Sequence, residues 1–416
     1  MSGSIVVSQL GARMHYAVPR ILARDGRLAH FYTDICATKG WPRLLRALPP
    51  HTLPTAVRRL IGRVPQDIPV ERTTTFPAFG LRSAVRRLAG KTRADETANA
   101  LWAGERFGAL VAAEGFHGAE GIYAFSGEAL EQLKAARAHG LWTVVEQMIA
   151  PRDVVDHLVS EEDAAFPDWQ IPAAADPFAA AYIARERAEW ALADIVICPS
   201  DFVRRHVIEK GCPAARAVVV PYGIDSRFTI RRRERAPGPL RILTAGEICL
   251  RKGSPYVLAA AKRMQGRAVF RMAGPCTVLP PARAALDAHV ELTGAVPRGE
   301  MRAQYAWADV FLLPSICEGS ATVIYEALAA GLPVITTENT GSVVRHGVDG
   351  FIVPIRDADA IVEALEQLAA DPSLRREMAA NALARASEFT LQRYGERLLA
   401  ALSEVRRREE VVPCAA

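Results

Sequence analysis

Two glutamates, Glu318 and Glu326, stand eight positions apart in PSICEGSATVIYEALAAGLPVI, a run otherwise made of small and apolar residues. A carboxylate in such a setting needs partners. The run DVFLLPS just before it reads as a strand, and the helical pattern begins near Ser320 or Ala321, with Ser320 and Thr322 as candidate caps. Glu318 then lies in the loop at the strand's carboxyl end. The first amides of the helix, from Gly319 through Ser320, Ala321 and Thr322 to Val323, lack intrahelical partners and, with the helix dipole, make an anion site. Gly319 lets backbone approach a ligand closely. Glu326, further along the same helix, can accept two hydrogen bonds from a vicinal diol such as a ribose. Glu318 can accept from hydroxyls of whatever is attached beyond the phosphates. A solvated loop acid and a solvated helix acid are the plain alternative, and the apolar company of Glu326 weighs against it.

A second element complements the first. In TAGEICLRKGSPYVLAA a strand runs into Gly246, and a helix starts at Ser254–Pro255. Lys252 and Arg251 stand just before that start. A lysine there neutralises a diphosphate as a point charge, and an arginine forks onto it. In the first half, Gly11 follows the first strand-like run and precedes a helical pattern over Met14–Arg24, so it is either a close-approach glycine or a plain turn. His15, on that pattern, is more often a packing histidine than a catalyst.

These residues must be positioned by a scaffold, and the scaffold is legible. Apolar runs of five to seven residues alternate with helical patterns throughout the 416 residues. SIVVSQL, LAHFYTD, GIYAFS, LWTVVEQ, DIVICPS and AVVVPYG make one series; RILTAG, AVFRMAG, VELTG, DVFLLPS, LPVITT and GFIVP make another. The alternation predicts α/β architecture with two doubly wound, Rossmann-like domains facing across a cleft. The expected division is a first domain over 1–224, a polar linker over 225–239 and a second domain over 240–388. A final helix and tail over 389–416 packs back on the first domain. Ligands bind beyond the carboxyl ends of parallel strands, so the site belongs in the interdomain cleft. Two sections break the rhythm: Lys39–Arg93, which reads as an insertion, and Pro151–Asp176, which carries several acids with Phe166 and Trp169.

Composition narrows the classes. The net charge of +5 hides an asymmetry: Lys39–Arg93 holds twelve Lys or Arg and only Asp67 and Glu71, which leaves a net −5 elsewhere. WPRLLRALPP, AVRRLIGRV and LRSAVRRLAGK interleave arginine with apolar residues, which fits either a surface lying on anionic lipid or solvated helix faces. Few aromatics interleave there, so nucleic acid is not expected as a partner. No apolar run reaches membrane-spanning length, no secretory signal is evident, and the seven cysteines show neither CxxC spacing nor histidine pairing. These features predict a cytoplasmic protein with reduced thiols and no structural metal.

Together the quoted motifs resemble the GT-B-fold glycosyltransferases of family 4, which move a sugar from a nucleotide-sugar with retention at the anomeric carbon. The E-x7-E pattern, Glu318 to Glu326, followed by ALAAGLPVITT, carries the resemblance; DIVICPSDFVRRHVIEKG, VVVPYGID and GVDGFIVP support it. The resemblance implies that Lys252 contacts the donor diphosphate, Glu326 the ribose and Glu318 the transferred sugar. The amides of Gly319 to Val323 would hold phosphate oxygens, and Gly11 would approach the donor from the first domain. That domain, 1–224, would bind the acceptor, with His15 and Glu146 as candidate acceptor-side groups, and 240–388 would bind the nucleotide-sugar. It implies no metal and no cofactor beyond the nucleotide-sugar co-substrate. It further implies a glycan or lipid-linked acceptor in bacterial cell-surface polysaccharide, lipopolysaccharide or glycolipid synthesis, at the inner face of the membrane. One departure matters: Glu247 follows Gly246 where relatives often carry arginine, and Arg251 is the candidate substitute. That departure keeps open a catalytically silent nucleotide-sugar-binding protein. A glycosidase with two carboxylates is the poorer reading, since both acids come from one loop–helix unit. A dinucleotide-dependent oxidoreductase lacks its GxGxxG.

Overall fold

A computed structural model describes residues 3–49, 53–90, 92–171, 174–225, 228, 230 and 238–411. Two all-parallel sheets form the two lobes. The first has seven strands: β1 (Ile5–Gln9), β2 (Leu28–Thr33), β3 (Thr73–Thr75), β4 (Gly121–Phe125), β5 (Trp142–Glu146), β6 (Ile195–Cys198) and β7 (Ala217–Val219), in the order β3-β2-β1-β4-β5-β6-β7. The second has six: β8 (Leu240–Ala245), β9 (Ala268–Ala273), β10 (Val290–Gly294), β11 (Val310–Leu313), β12 (Val334–Thr337) and β13 (Gly350–Val353), in the order β10-β9-β8-β11-β12-β13. Each order reverses beside its first strand, between β1 and β4 and between β8 and β11, the switch point where parallel sheets open a crevice. The central strands are buried along their whole length because helices cover both faces, which is why they read as unbroken apolar runs. The expected pair of doubly wound domains is therefore present.

Several local expectations are corrected. The section Lys39–Arg93 is not a mere insertion: it supplies β3, which pairs with β2 from Phe31–Thr73 to Thr33–Thr75, and the helices Thr55–Ile61 and Pro77–Ala89. Three threonines in a row carry no apolar signal for that edge strand. The section Pro151–Asp176 contains the helix Arg152–Ala165, opened by Pro151. It belongs in sequence to the first lobe, yet Phe166 and Trp169 pack on the apolar core of the second. The helix expected from Met14 begins at Ala17, because Met14, His15 and Tyr16 all take left-handed backbone (φ 43°, 52° and 60°). Three consecutive non-glycine residues in that region store strain.

The lobes are joined twice. The stretch 225–239 lies mostly outside the described residues, but at its start Ile224 exchanges backbone hydrogen bonds with Phe389 and Leu391. From there the helix Leu391–Val411 returns to the first lobe, where Tyr394, Leu398 and Leu402 are buried with Ile5, Val7 and Leu22. Six cysteines are free thiols, five of them buried; Cys414 lies outside the described residues. Among the described residues no helix is long and apolar enough to cross a membrane.

Candidate functional site

The carboxyl ends of β8 and β11 lie side by side, and their loops bring the predicted cations and the first glutamate together. Arg251 Nη1 lies 2.5 Å and Lys252 Nζ 2.7 Å from the same oxygen, Oε1 of Glu318. Arg251 also donates to the carbonyl of Cys317 at 3.1 Å, and its own carbonyl accepts from the amide of Ile316 at 2.9 Å, so the two loops are stitched to each other. The Lys252 side chain lies along Gly246, which has no side chain to displace it. Glu247 points to solvent, while Arg251 stands at the cluster.

The helix after β11 runs Thr322–Ala329. Its amides are not one uniform row. Ala321 N–H already donates to the Thr340 carbonyl at 3.3 Å, and Glu318 N–H donates to Asn339 O at 2.9 Å. Gly319 and Ser320 are buried: the Gly319 carbonyl accepts from Ser200 Oγ at 2.5 Å, and Ser320 Oγ is shared by Tyr325 and the Gly341 carbonyl. A side chain at Gly319 would collide with the Met148 carbonyl of the opposite lobe, so this glycine permits lobe contact, not only ligand contact. The first-turn amides of Thr322 and Val323 lack intrahelical partners by position, and Thr322 is exposed to the cleft.

Glu326, one turn further, is half-buried and lines a cleft of about 600 Å³ with Thr322 and Arg298 on one wall and Met14, His15 and Val64 on the other. Tyr305 donates to Glu326 Oε2 at 2.7 Å. Burial raises the Glu326 carboxyl above the ordinary range, and the Tyr305 hydrogen bond and the charge of Arg298 oppose that rise. One carboxylate oxygen is thus fixed and the group faces open space, the arrangement needed to receive a pair of hydroxyls. Arg298 reaches across the cleft to His15 Nε2. Burial, then Arg298 and Arg20, push His15 below its ordinary value, so it is a neutral acceptor there.

On the first lobe, Gly11 takes φ +73°, donates its amide to Asp34 Oδ1 at 3.1 Å and turns the chain toward the strained segment that meets the second lobe. Gly11 itself lines a different cavity, of about 450 Å³, at the ends of β1, β2 and β4. Glu146 is fully engaged: Tyr123 and Tyr222 each donate to it, at 2.5 and 2.9 Å, deep in the lobe. It lines a small cavity with Gln9 and Arg13. The structure therefore brings Lys252, Arg251 and Glu318 together, places Glu326, Thr322 and His15 on a neighbouring cleft, and sets Gly11 and Glu146 apart from both. Sequence reasoning passed over Arg298, Tyr305 and Ser200. Tyr305 has a signal in retrospect, a buried aromatic with a hydroxyl that needs a partner. Arg298 and Ser200 act only through the opposition of lobes distant in sequence.

The fold and this clustering at strand ends define a two-lobed GT-B protein. Its sequence matches the family described as Glycosyltransferase Family 4 over residues 137–228 and that described as Glycosyl transferases group 1 over residues 239–371. Two glycosyltransferase family models thus match the chain on either side of the linker, and the first of them is Glycosyltransferase Family 4. It is 30% identical over 192 residues to the putative colanic acid biosynthesis glycosyltransferase WcaL of Salmonella typhimurium, covering 42% of this chain and 47% of that protein. It is 31% identical over 179 residues to the amylovoran biosynthesis glycosyltransferase AmsK of Erwinia amylovora, covering 39% and 44%. The chain thus spans about half the length of these curated relatives. Sucrose-phosphate synthase from Thermosynechococcus elongatus superposes with a TM-score of 0.65 at 16% identity, covering 98% of this chain and 99% of that one. Anabaena HepE in complex with UDP superposes at 0.62, also at 16% identity, over 97% and 100%.

Proposed function

We propose that this chain is a retaining glycosyltransferase that moves a sugar from a nucleoside-diphosphate sugar to a hydroxyl of a glycan or lipid-linked acceptor in cell-surface polysaccharide or glycolipid synthesis. The observation that carries it is the Lys252–Arg251–Glu318 cluster at two adjacent strand ends, followed by a helix that carries Glu326 one turn past its first residue, Thr322. As the glycosidic bond breaks, negative charge builds on the diphosphate leaving group. Lys252, Arg251 and the Thr322 and Val323 amides meet that charge, and no metal is required of the donor side. Groups already in place for a developing charge cost little reorganisation during reaction. In the structure Glu318 is the shared carboxylate partner of both cations. The donor diphosphate displaces it, and the freed carboxylate turns to the hydroxyls of the transferred sugar. Glu326, steadied by Tyr305, takes the ribose diol. WcaL, AmsK and the phosphatidylinositol monomannoside mannosyltransferases among the relatives are named for exopolysaccharide or glycolipid synthesis, which supports the acceptor class.

The test is a screen of nucleoside-diphosphate sugars by thermal shift, since a ligand of the folded state raises the melting temperature by mass action. Turnover of the stabilising donors follows, with and without a chelator. Stabilisation followed by transfer or donor hydrolysis supports the reading. Stabilisation with neither favours a silent nucleotide-sugar-binding protein, and no stabilisation by any donor overturns both.

A further inference from the structure

The basic section of the first lobe has an outer face that the transfer chemistry does not use. Among the described residues, seven of the twelve exposed large hydrophobic side chains fall between Trp41 and Leu88. They are ordered. On the helix Pro77–Ala89, Phe79, Gly80 and Ser83 are buried while Leu81, Val85 and Leu88 are 57%, 57% and 86% exposed, at the spacing of one helix face. Trp41, Leu44 and Leu48 repeat the pattern around the helix Pro42–Leu45. Gly40, at the start of that stretch, lies against Pro77, the first residue of the longer helix, so the two stripes begin at a common point. Exposed apolar faces of this kind mark a contact surface.

Its charged company is cationic. Arg43 and Arg46 flank the shorter stripe, and Arg82 the longer one. The guanidinium of Arg82 lies 5.3 Å from the ring of Trp102 on the helix Arg93–Glu114, which holds it at the rim of the face, while Arg86, 4.7 Å from the same ring, turns inward and donates to Asn99 Oδ1 at 3.3 Å. The acids nearby are few. Asp67 is held by Arg20 and Arg24 at 3.4 and 2.7 Å, Asp95 is folded into the cap of the neighbouring helix with Thr92, and Glu71 and Glu96 are exposed. Apolar side chains on a helix face rimmed by arginine match one kind of partner, a bilayer bearing negative headgroups.

The same helix has a second duty. Its inner side, through Ser83, Arg86 and Arg87, walls the cavity of about 450 Å³ at the strand ends, opposite Asn99 and Tyr182. A bilayer held on the outer stripe is thereby separated from that cavity by one helix width.

We infer that the face formed by Trp41, Leu44, Leu48, Leu81, Val85 and Leu88 docks on an anionic lipid bilayer and sets the cavity behind Arg86 and Arg87 beside the headgroups. The docking stands on the surface alone. The placement of the cavity as a receiver for a lipid-borne acceptor rests on the transferase reading. Flotation with vesicles of phosphatidylcholine, with and without phosphatidylglycerol, tests it. The full chain is expected to float with the anionic vesicles, less with neutral ones, and less as salt rises. The variants L81S/V85S/L88S and W41S/L44S/L48S should each reduce bound protein by about tenfold or more. Since the replaced side chains are exposed, melting temperature and nucleoside-diphosphate binding should not change. Failure of the transferase reading would leave this flotation result intact. The inference is overturned if the wild-type chain stays unbound on anionic vesicles or if the triple variants float as the wild type does. It is also overturned if the variants turn a dimer into a monomer, which would assign the face to a second copy of the chain.

Discussion

The two lobes share a strand order and use their strand ends in opposite ways. At the ends of β8 and β11 the charged groups are half-buried rather than fully enclosed, and two cations share one carboxylate oxygen. At the ends of β1, β4 and β5 the acids are buried and their oxygens face the lobe's own backbone and side chains. Glu189 accepts from the amides of Gly127 and Ala129 at 2.8 and 3.0 Å, Glu128 from Leu10 at 3.0 Å, and Glu186 from Gln147 and the Arg152 amide, both at 2.9 Å. On the proposed reading one lobe offers its charge to a ligand, and the other uses carboxylates to hold loops still. A shared architecture therefore says where a site can be, and the exposure of the charged groups says which lobe does the electrostatic chemistry.

The sharpest way to break that contrast is to remove a group from each side. Lys252→Ala should lower kcat/KM by about 10²- to 10³-fold, because the leaving-group charge loses its point cation. Its melting temperature should hold, since Glu318 retains Arg251. Steady-state kinetics beside a thermal melt checks this, and parent-like turnover in a folded variant would end the proposal. Glu189→Ala should do the reverse. Two buried amides lose their acceptor and Arg185, 3.4 Å away, loses a neighbour, at a cost of about 3 kcal/mol in stability. Urea unfolding measures that cost, and nucleoside-diphosphate affinity should be unmoved.

The contrast also has a pH signature. Burial pushes Glu128 up to about 8, against the opposing charge of Arg13 and the Leu10 amide, and pushes Glu186 and Glu189 up to about 7. The unfolded chain releases these protons near the ordinary glutamate value, while the folded chain keeps them. The stability they contribute is complete below that ordinary value. It declines as pH rises and is gone above the folded values, so for Glu128 the window closes near 8. Glu128→Gln keeps an acceptor for Leu10 and removes one such proton. It should flatten the fall of urea midpoint between about pH 5 and about pH 8 by up to roughly 1.4 kcal/mol per pH unit. An unchanged slope would mean that Glu128 is ionised in the fold.

Much of this was legible in the chain, and what was not has identifiable causes. Buried parallel strands must be apolar on both faces, so the runs behind β8 and β11 announce themselves, and the residues just past their ends, Lys252 and Glu318, follow from the rule for strand ends. The polar edge strand Thr73–Thr75 and the acid-rich helix Arg152–Ala165 give no such signal. In that helix Glu162 is completely buried because Tyr256 and Arg356 of the second lobe reach it, at 2.9 and 2.5 Å, a pairing no local pattern encodes. The left-handed segment Met14–Tyr16 contradicts its own helical pattern, and it does so where it meets Arg298. Local pattern fails at lobe contacts because the deciding partner lies far away in sequence.

The subtlest prediction concerns Glu318 itself. Its Oε1 is held by both Arg251 and Lys252, so a diphosphate must compete with a carboxylate already in place. Glu318→Gln removes that competitor while keeping size and hydrogen-bonding capacity. Free nucleoside diphosphate should then bind about fivefold more tightly, the scale of one partly exposed ion pair. Turnover of the sugar donor should fall at the same time, because the charged acceptor for the sugar hydroxyls is gone. Titration calorimetry with the nucleoside diphosphate, set beside donor kinetics, separates the two effects. Weaker diphosphate binding in this variant would show that Glu318 organises the cations instead of opposing the ligand, and the open, ligand-ready character assigned to the second lobe would have to be withdrawn.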